Sequence, residues 1–219
     1  MNTGDTAFMM ICAALVFFMT PGLAFFYGGL VRRKNVCNTI MACVAIMGLS
    51  VVMWTLFGYS LSFGGNHAGI IGDFRWFGLN GVGMEAGPYA DSIPHLVFCA
   101  FQMMFAMITP ALITGSLVGR MKFKALFLFV AIWSVIVYYP TAHMVWGDGG
   151  FLAAIGSVDF AGGDVVHISS GISALVLAII LGRRRGYEHT TYRIHNIPSV
   201  VLGASLLWFG WFGFNPGSQ

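Results

Sequence analysis

Apolar residues are distributed along this chain in six long stretches, separated by polar segments. A helix needs about 20 mostly apolar residues to cross about 30 Å of hydrocarbon, and each stretch has that length. The pattern therefore predicts an all-α fold, a polytopic bundle of transmembrane helices. The six predicted spans are residues 6–31, 37–62, 93–118, 123–146, 163–182 and 197–217. The segment 63–92 is long enough to hold some structure of its own.

Composition supports a membrane environment for the whole chain. Hydrophobic residues make up 58% of the sequence and charged residues only 9%, whereas soluble proteins carry about 25% charged residues. Lipid must therefore cover most of the surface, and residues 1–219 are predicted to form a single transmembrane domain. The first residues, MNTGD, carry no basic cluster, so no cleaved signal peptide is predicted. The four cysteines form no CxxC pair, which favours small core residues over a disulfide, and we expect neither a metal nor a cofactor.

The cations are sorted to one side of the predicted bundle. Ten of the eleven lysines and arginines lie in the loops after spans 1, 3 and 5, and only Arg75 lies in an opposite loop. The ten are Arg32, Arg33, Lys34, Arg120, Lys122, Lys124, Arg183, Arg184, Arg185 and Arg193. The positive-inside rule predicts that these loops are cytoplasmic and that the N-terminus is outside. Residue 219 is then also outside, and the abrupt end leads us to expect a longer protein.

His167 is the clearest polar residue at membrane depth. It follows Asp159 by eight residues, which in a continuous helix places it about 12 Å into span 5. Polar groups held at such depth are costly and often functional. Two interpretations remain open: a histidine satisfied by a neighbouring helix, or a ligand or proton-relay residue.

Two carboxylates accompany His167 in span 5. Asp159 lies where the span is predicted to begin and can accept hydrogen bonds from free N–H groups of the first turn. We favour this capping role over a direct contact with a cation. Asp164 lies one turn further along, facing a water-filled vestibule or interacting with the helix dipole.

Aromatic residues suggest a cluster near the outer ends of the spans. Phe101 and Phe105 are four residues apart on span 3 and share a face, as do Phe214 and Ser218 on span 6. Gly210, Gly213 and Gly217 form a neighbouring stripe that permits close packing. Trp146 ends span 4 and, taken alone, is more typical of an interfacial belt. Together the aromatic residues predict an outer site beside a hydroxyl group, with His167 buried beneath it.

Five segments resemble signature motifs of the Amt/Mep/Rh ammonium transporters, in the order and spacing of that family. They are P21-G-L-A-F-F-Y-G-G-L30, F101-Q-M-M-F105, H143-M-V-W146, D159-F-A-G-G-D-V-V-H-I-S-S-G171 and W211-F-G-F-N-P-G-S218. The resemblance implies a bacterial-type fold of eleven helices, in which two inverted repeats of five precede a final helix. This chain would supply the first repeat and the sixth helix.

The resemblance also implies roles for individual residues. Phe105, Trp146 and Ser218, with Phe101 beside them, resemble the outer site that recruits ammonium. Phe105 and Phe214 resemble the stacked phenyl gate of the pore. The resemblance further implies that His167 is the first of two pore histidines and that Asp159 supports the site. Asp164 departs from the small or hydroxyl residue common there, and the second histidine would lie beyond residue 219.

The function implied is transport of ammonium or ammonia by a non-enzymatic, multi-pass protein of the cell membrane. The lipid bilayer is one partner, a homotrimer is expected, and the family suggests a cytoplasmic regulator of the PII type. No nucleic acid partner is expected. Alternatives are an ammonium sensor of the same fold, or a redox subunit with His143 and His167 as haem ligands, although their predicted depths differ. His143, one turn before Trp146, is otherwise interpreted as an interfacial or packing residue.

Overall fold

The computed structural model describes residues 1–184, 186–189 and 191–219, and in these it contains six helices long and apolar enough to cross a membrane. They are α1 (Thr3–Leu30), α2 (Arg33–Phe63), α3 (His95–Leu117), α4 (Phe123–Ala154), α5 (Gly163–Leu181) and α6 (Ile197–Ser218). The all-α bundle of six predicted spans is therefore confirmed. The main part of α4 ends at Trp146, and Phe151–Ala154 forms a separate short turn after it.

Polar caps explain where two of these helices begin. The Asn2 side chain accepts hydrogen bonds from the N–H groups of Gly4 (2.8 Å) and Asp5 (3.3 Å), so α1 begins earlier than hydropathy alone suggests. The Asn196 side chain accepts from the N–H of Ser199 (3.1 Å) at the start of α6. An asparagine in this position satisfies N–H groups that have no partner inside the helix.

The packing of α1 against α6 depends on glycines. A Cβ added at Gly213 would lie 2.6 Å from the Cys12 carbonyl oxygen, and one at Gly29 would lie 2.7 Å from the Asn196 carbonyl oxygen. A Cβ at Gly217 would lie 2.7 Å from the ring of Phe101 on α3. Small residues let helix backbones approach closely where lipid provides no hydrophobic drive for helix association. The glycine stripe of α6 therefore holds α6 close to α1 and α3.

Within the described residues, three π-helical turns interrupt the regular helices. They are Trp54–Gly58 in α2, Ser134–Tyr138 in α4 and Gly163–Ile168 at the start of α5. The first two lie close together, since a Cβ at Gly58 would be 2.6 Å from the Tyr139 ring. Such turns are rare and frequently lie at functional sites. The third includes His167 and sets the direction in which that side chain projects.

The segment between α2 and α3 has structure of its own. A 3₁₀ turn at Phe77–Leu79 precedes a small antiparallel hairpin of β1 (Ala86–Gly87) and β2 (Ala90–Pro94). The Asp73 carboxylate accepts from the N–H groups of Gly65 and Arg75, both at 3.0 Å, and pairs with the Arg75 side chain. Burial tends to raise the pKa of Asp73, but these hydrogen bonds and the Arg75 charge hold it below its ordinary value.

The loops after α1, α3 and α5 meet at one end of the bundle. Arg32, Arg120 and Arg184 come from the three loops and line a common groove. Arg185, one of the cations assigned to the third loop, lies outside the described residues. The structure thus brings together the loops that the positive-inside rule assigns to the cytoplasm, while the sidedness itself stays a prediction.

Candidate functional site

An outer cavity of about 420 Å³ opens at the end of the bundle opposite to the basic loops. It is lined by Phe101, Phe105, Trp146 and Ser218, the four residues assigned to recruitment of ammonium. The cavity lies between α3, the end of α4 and the last turn of α6. These residues are far apart in sequence, and the helix packing brings them together.

Phe105 is at the centre of the aromatic cluster. Its ring centroid lies 5.0 Å from that of Phe101 and 5.9 Å from that of Trp146, both in edge-to-face orientation. The Phe214 ring lies 4.5 Å away, and the two planes are inclined by 44°. Phe105 and Phe214 are both almost completely buried, at 1% exposure. Phe105 lines the cavity and Phe214 packs behind it, so the two rings meet in a tilted contact and not in the parallel stack expected for a stacked phenyl gate.

Ser218 presents an acceptor to the cavity. Its Oγ donates to the Phe214 carbonyl oxygen at 2.8 Å, within the last turns of α6. A hydroxyl has one donor and two acceptor lone pairs, and here the donor is used inside the helix. The lone pairs of Ser218 therefore remain for a ligand that carries N–H groups.

Asp159 is a complete N-terminal cap for α5. Oδ1 accepts from the N–H groups of Gly162 (2.5 Å) and Gly163 (2.9 Å). Oδ2 accepts from those of Asp164 (2.7 Å) and Val165 (2.9 Å). With four donors on the two oxygens, the carboxylate has little capacity left for direct contact with a cation. The geometry favours the capping interpretation.

The Asp159 backbone also connects the cap to the aromatic cluster. Trp146 donates from Nε1 to the Asp159 carbonyl oxygen at 3.2 Å, which fixes the indole at the rim of the cavity. Asp164 accepts a hydrogen bond from the Ser157 hydroxyl at 2.6 Å and lies in the first turn of α5, where a negative charge interacts favourably with the helix dipole. Asp164 thus supports the helix start and is not among the residues that line the cavity.

His167 lies on the inner side of the phenyl pair, but two details of the sequence-based picture were wrong. The chain turns through Gly162, which has a φ of 99°, and α5 begins at Gly163. His167 therefore lies four residues after the first residue of the helix. This places it about 6 Å along the helix axis, and not 12 Å. The side chain is also exposed in this chain and not buried. The His167 ring stacks on Phe214 at 5.9 Å and on Trp211 at 5.8 Å, and its other face is open.

His143 is a packing residue. It is fully buried, Nδ1 donates to the Ser62 carbonyl oxygen at 3.1 Å, and Nε2 lies 3.4 Å from Asn66 Oδ1. His143 thus contacts the end of α2, whereas His167 contacts α6. The two imidazoles have different neighbours, which argues against a shared haem between them.

Sequence reasoning missed three features of the site. Trp211 stacks almost parallel to His167, with 8° between the ring planes. Its position three residues before Phe214 places both rings on one face of α6, and this spacing could have indicated the contact. Gln102 lines the cavity, and its Oε1 is buried without a hydrogen-bond partner in the described residues. His95, to which the sequence assigns no role, is buried and its Nε2 lies 2.5 Å from the Tyr59 hydroxyl. No local pattern relates the last pair, because the two residues lie on different helices.

Six spans with an aromatic cavity between them, and with a phenyl pair and His167 next to that cavity, define a polytopic membrane protein with a candidate site among its helices. Comparison with known proteins specifies the class further. The model of the Ammonium Transporter Family matches residues 7–219. An ammonium transporter of Bacillus subtilis is 51% identical over 218 residues, covering 100% of this chain and 53% of the relative. The chain belongs to the ammonium transporter family.

Solved structures agree with this assignment. Mep2 of Saccharomyces cerevisiae matches with a TM-score of 0.88 at 36% identity, covering 100% of this chain and 50% of Mep2. A sensor Amt protein matches with a TM-score of 0.86 at 31% identity, covering 98% of this chain and 54% of that protein. The chain spans about half the length of the curated relatives it matches. The fold thus corresponds to the first repeat and sixth helix of the family, as the motifs predicted.

Proposed function

We propose that the protein to which these residues belong transports ammonium or ammonia across the cell membrane. The observation that carries the proposal is that three groups contact one another in order: the outer cavity, the Phe105–Phe214 pair and His167. The outer cavity is lined by Ser218, Phe101, Phe105 and Trp146 among others. The Phe214 ring contacts Phe105, and the His167 ring in turn contacts Phe214. Each group solves one part of the problem of accepting ammonium and rejecting potassium.

Recruitment of the cation takes place in the outer cavity. Aromatic faces attract cations by about 0.5–2 kcal/mol per contact, and Phe101, Phe105 and Trp146 offer several such contacts. Ser218 adds a hydrogen-bond acceptor, which only a cation with N–H donors can use. Potassium shares the aromatic attraction and lacks the hydrogen bond, so this cavity concentrates ammonium with partial selectivity.

Rejection of potassium follows from the phenyl pair. Phe105 and Phe214 are in contact and shielded from solvent, so an intact ion that passes them would lose its hydration without polar compensation. That loss costs many kcal/mol. Ammonium avoids the cost by releasing a proton and passing as neutral ammonia, whereas potassium has no such route.

His167 then acts as one station of the inner path. Its imidazole can exchange hydrogen bonds with ammonia and accept or pass the released proton, as an electrogenic mechanism requires. Passage of neutral ammonia would use the same residues. Because one face of His167 is open in this chain, we propose that the second half of the fold supplies the opposite wall and the second histidine.

The wider assignments rest on the family. We propose the sidedness given by the basic loops, with the N-terminus outside, and a homotrimer in the cell membrane. A PII-type regulator on the cytoplasmic face belongs to the same proposal. The protein is proposed to act as a transporter without an enzymatic step.

Ammonium sensing is a second candidate. It is favoured by the similarity to a sensor Amt protein over 98% of this chain. Sensing uses the same outer site for recognition, so the two functions differ in net flux and not in ligand.

The decisive variant is His167→Ala in the protein expressed from its complete gene. We expect loss of at least about 90% of methylammonium uptake, because removal of a general acid–base group typically slows proton transfer by about 10²-fold or more. His189→Ala, in the basic loop after α5, is the matched control and should transport normally. Unchanged ammonium currents and methylammonium uptake in His167→Ala would refute the role of His167. A wild-type protein that binds ammonium without flux would favour sensing.

A further inference from the structure

The outer cavity has a second group of aromatic side chains, further from the phenyl pair than the first. Phe63 from the end of α2, Tyr89 from the turn of the hairpin and Phe98 from α3 line the same cavity as Phe105. We call Phe63, Tyr89 and Phe98 the mouth cluster. Phe98 precedes Phe105 by seven residues on one face of α3, so it lies about 10 Å closer to the outer end of that helix.

The rings of the mouth cluster pack on one another. Tyr89 and Phe98 are stacked, with 5.5 Å between their centroids and 6° between their planes. The Phe63 ring is edge-to-face to both, at 5.0 Å from Tyr89 and 5.3 Å from Phe98. Two parallel rings cover only one face of each other, so Tyr89 and Phe98 each keep a face that is turned away from the stack. Both side chains are half-buried and line the cavity, so a ligand there meets aromatic surface.

Hydrogen bonds fix the Tyr89 ring in this arrangement. Its hydroxyl donates to the Phe63 carbonyl oxygen at 2.8 Å and accepts from the Asp148 N–H at 3.1 Å. These bonds connect the hairpin to the end of α2 and to the segment that follows Trp146. Because the rings are ordered before a ligand arrives, binding costs little conformational entropy.

The charges near the mouth cluster favour a cation as the ligand. Asp148, whose N–H contacts the Tyr89 hydroxyl, is exposed and carries a carboxylate at this end of the bundle. Arg75, the arginine of the segment between α2 and α3, is paired with Asp73 at 3.0 Å. Aromatic faces attract cations through the quadrupole of the ring. The rings and the carboxylate therefore act in the same direction.

The two parts of the cavity offer different groups to a cation. At the inner part Ser218 presents a hydrogen-bond acceptor, which suits ammonium with its N–H donors. In the mouth cluster the Tyr89 hydroxyl already makes two hydrogen bonds, and aromatic surface remains. An ammonium ion whose N–H groups are replaced by methyl groups needs aromatic faces and no acceptor. The cavity of about 420 Å³ has room for such an ion, since one water-sized molecule takes about 30 Å³.

We propose that the mouth cluster is a second cation subsite, which binds fully methylated ammonium ions such as tetramethylammonium. Tetramethylammonium has no N–H proton to release, so it cannot pass the Phe105–Phe214 pair as a neutral amine. It occupies the entrance instead and competes with ammonium from outside. This competition rests on the proposed transport function, whereas the binding itself does not.

The first measurement is binding of tetramethylammonium to the purified protein expressed from its complete gene, followed by saturation-transfer NMR of the methyl protons. Phe98→Leu keeps an apolar side chain and removes the aromatic face, so the Kd should rise about fivefold. Phe74→Leu is the matched control, because Phe74 is 62% exposed in the same outer segment and does not line the cavity. Its Kd should change less than about twofold.

The second measurement is methylammonium uptake by cells with tetramethylammonium added outside. We expect a raised KM for methylammonium at an unchanged maximal rate, with an inhibition constant that rises in Phe98→Leu as the Kd does. Uptake with neither binding nor inhibition by tetramethylammonium would overturn the subsite alone. Binding that depends on Phe98, in a wild-type protein without methylammonium uptake, would support the subsite and contradict the transport function.

A neutral probe separates attraction of a cation from burial of apolar groups. tert-Butanol resembles tetramethylammonium in shape and has no charge, so it should bind much more weakly to the wild-type protein. Equal affinity for the two probes, or equal weakening by Phe74→Leu and Phe98→Leu, would overturn the proposal. The comparison of the two probes uses only the wild-type protein, so it decides the matter even if Phe98→Leu fails to fold.

Discussion

Asp159→Ala removes a cap that connects the start of α5 to the outer aromatic site. The wild-type carboxylate accepts four backbone N–H groups, from Gly162, Gly163, Asp164 and Val165. Each hydrogen bond to a charged group contributes about 1.5–3 kcal/mol net, so four independent bonds set an upper limit of about 6–12 kcal/mol. Asp159 is half-buried, and water can replace some of these bonds.

Loss of a helix cap typically costs about 0.5–2 kcal/mol. Since this cap satisfies four N–H groups, we expect Asp159→Ala to lose about 2–4 kcal/mol of unfolding free energy, between the two estimates. Methylammonium uptake should fall by more than the lost stability alone explains. The cap orders the backbone whose residue-159 carbonyl oxygen accepts from Trp146, and His167 lies in the turn that the cap begins.

The assay is thermal unfolding in detergent together with methylammonium uptake in cells, for the protein expressed from its complete gene. Asp159→Asn keeps one acceptor oxygen but puts an NH₂ donor group opposite two backbone N–H donors. We therefore expect it to lose as much stability as Asp159→Ala. Asp164→Asn is the matched control, since an amide oxygen can still accept from the Ser157 hydroxyl. A stable Asp159→Ala protein with wild-type uptake would refute the reasoning.

The other predictions concern packing, recognition and pH. Gly213→Ala should cost about 1–3 kcal/mol, because its Cβ would lie 2.6 Å from a carbonyl oxygen of α1. Gly48→Ala meets no atom within 4 Å in this chain and should be neutral in the same unfolding assay; equal losses would contradict the packing argument. Ser218→Ala should raise the KM for methylammonium about fivefold, for one lost hydrogen bond of about 1 kcal/mol. Ser205 makes an equivalent hydrogen bond on the exposed face of α6, so Ser205→Ala should leave the KM unchanged. If the two variants had the same KM, Ser218 would be excluded from recognition. Folding lowers the pKa of Asp73. The stability that the Asp73 carboxylate contributes is therefore complete above pH 3.8, its ordinary pKa, and is lost as the pH falls through the lower pKa of the folded state. Hydrogen exchange at Gly65 should therefore lose protection at acidic pH after correction for the intrinsic rate, and unchanged protection would contradict this.

Much of the architecture could be predicted from the sequence, because the bilayer imposes simple rules. Hydrocarbon thickness sets the length of an apolar helix, so the six spans could be identified without tertiary information. The resemblance of five segments to family motifs, in their order and spacing, identified the family. The capping role of Asp159 also followed from local chemistry, since a carboxylate before a helix accepts free N–H groups.

Other features depend on how the helices pack. The depth of His167 could not be predicted, because the chain turns at Gly162 and α5 starts with a π turn, so an estimate from continuous helical rise was too large. Its exposure depends on which helices pack beside it, and Trp211 and Phe214 cover only one face. The contact of His95 with Tyr59 likewise joins side chains that no local period relates.

The sequence by itself determined which segments are long and apolar enough to cross the membrane, and that the cations collect in alternate loops, because burial of apolar surface and the placement of charge act on each segment separately. Only the tertiary structure decided how those segments combine. It gathered Phe101, Phe105, Trp146 and Ser218 around one cavity and inclined the Phe105 and Phe214 rings by 44°. It also brought three separate loops together around one groove lined by cationic side chains. The physical reason is that close packing through glycines sets the distances between helices, and those distances depend on partners far away in the chain.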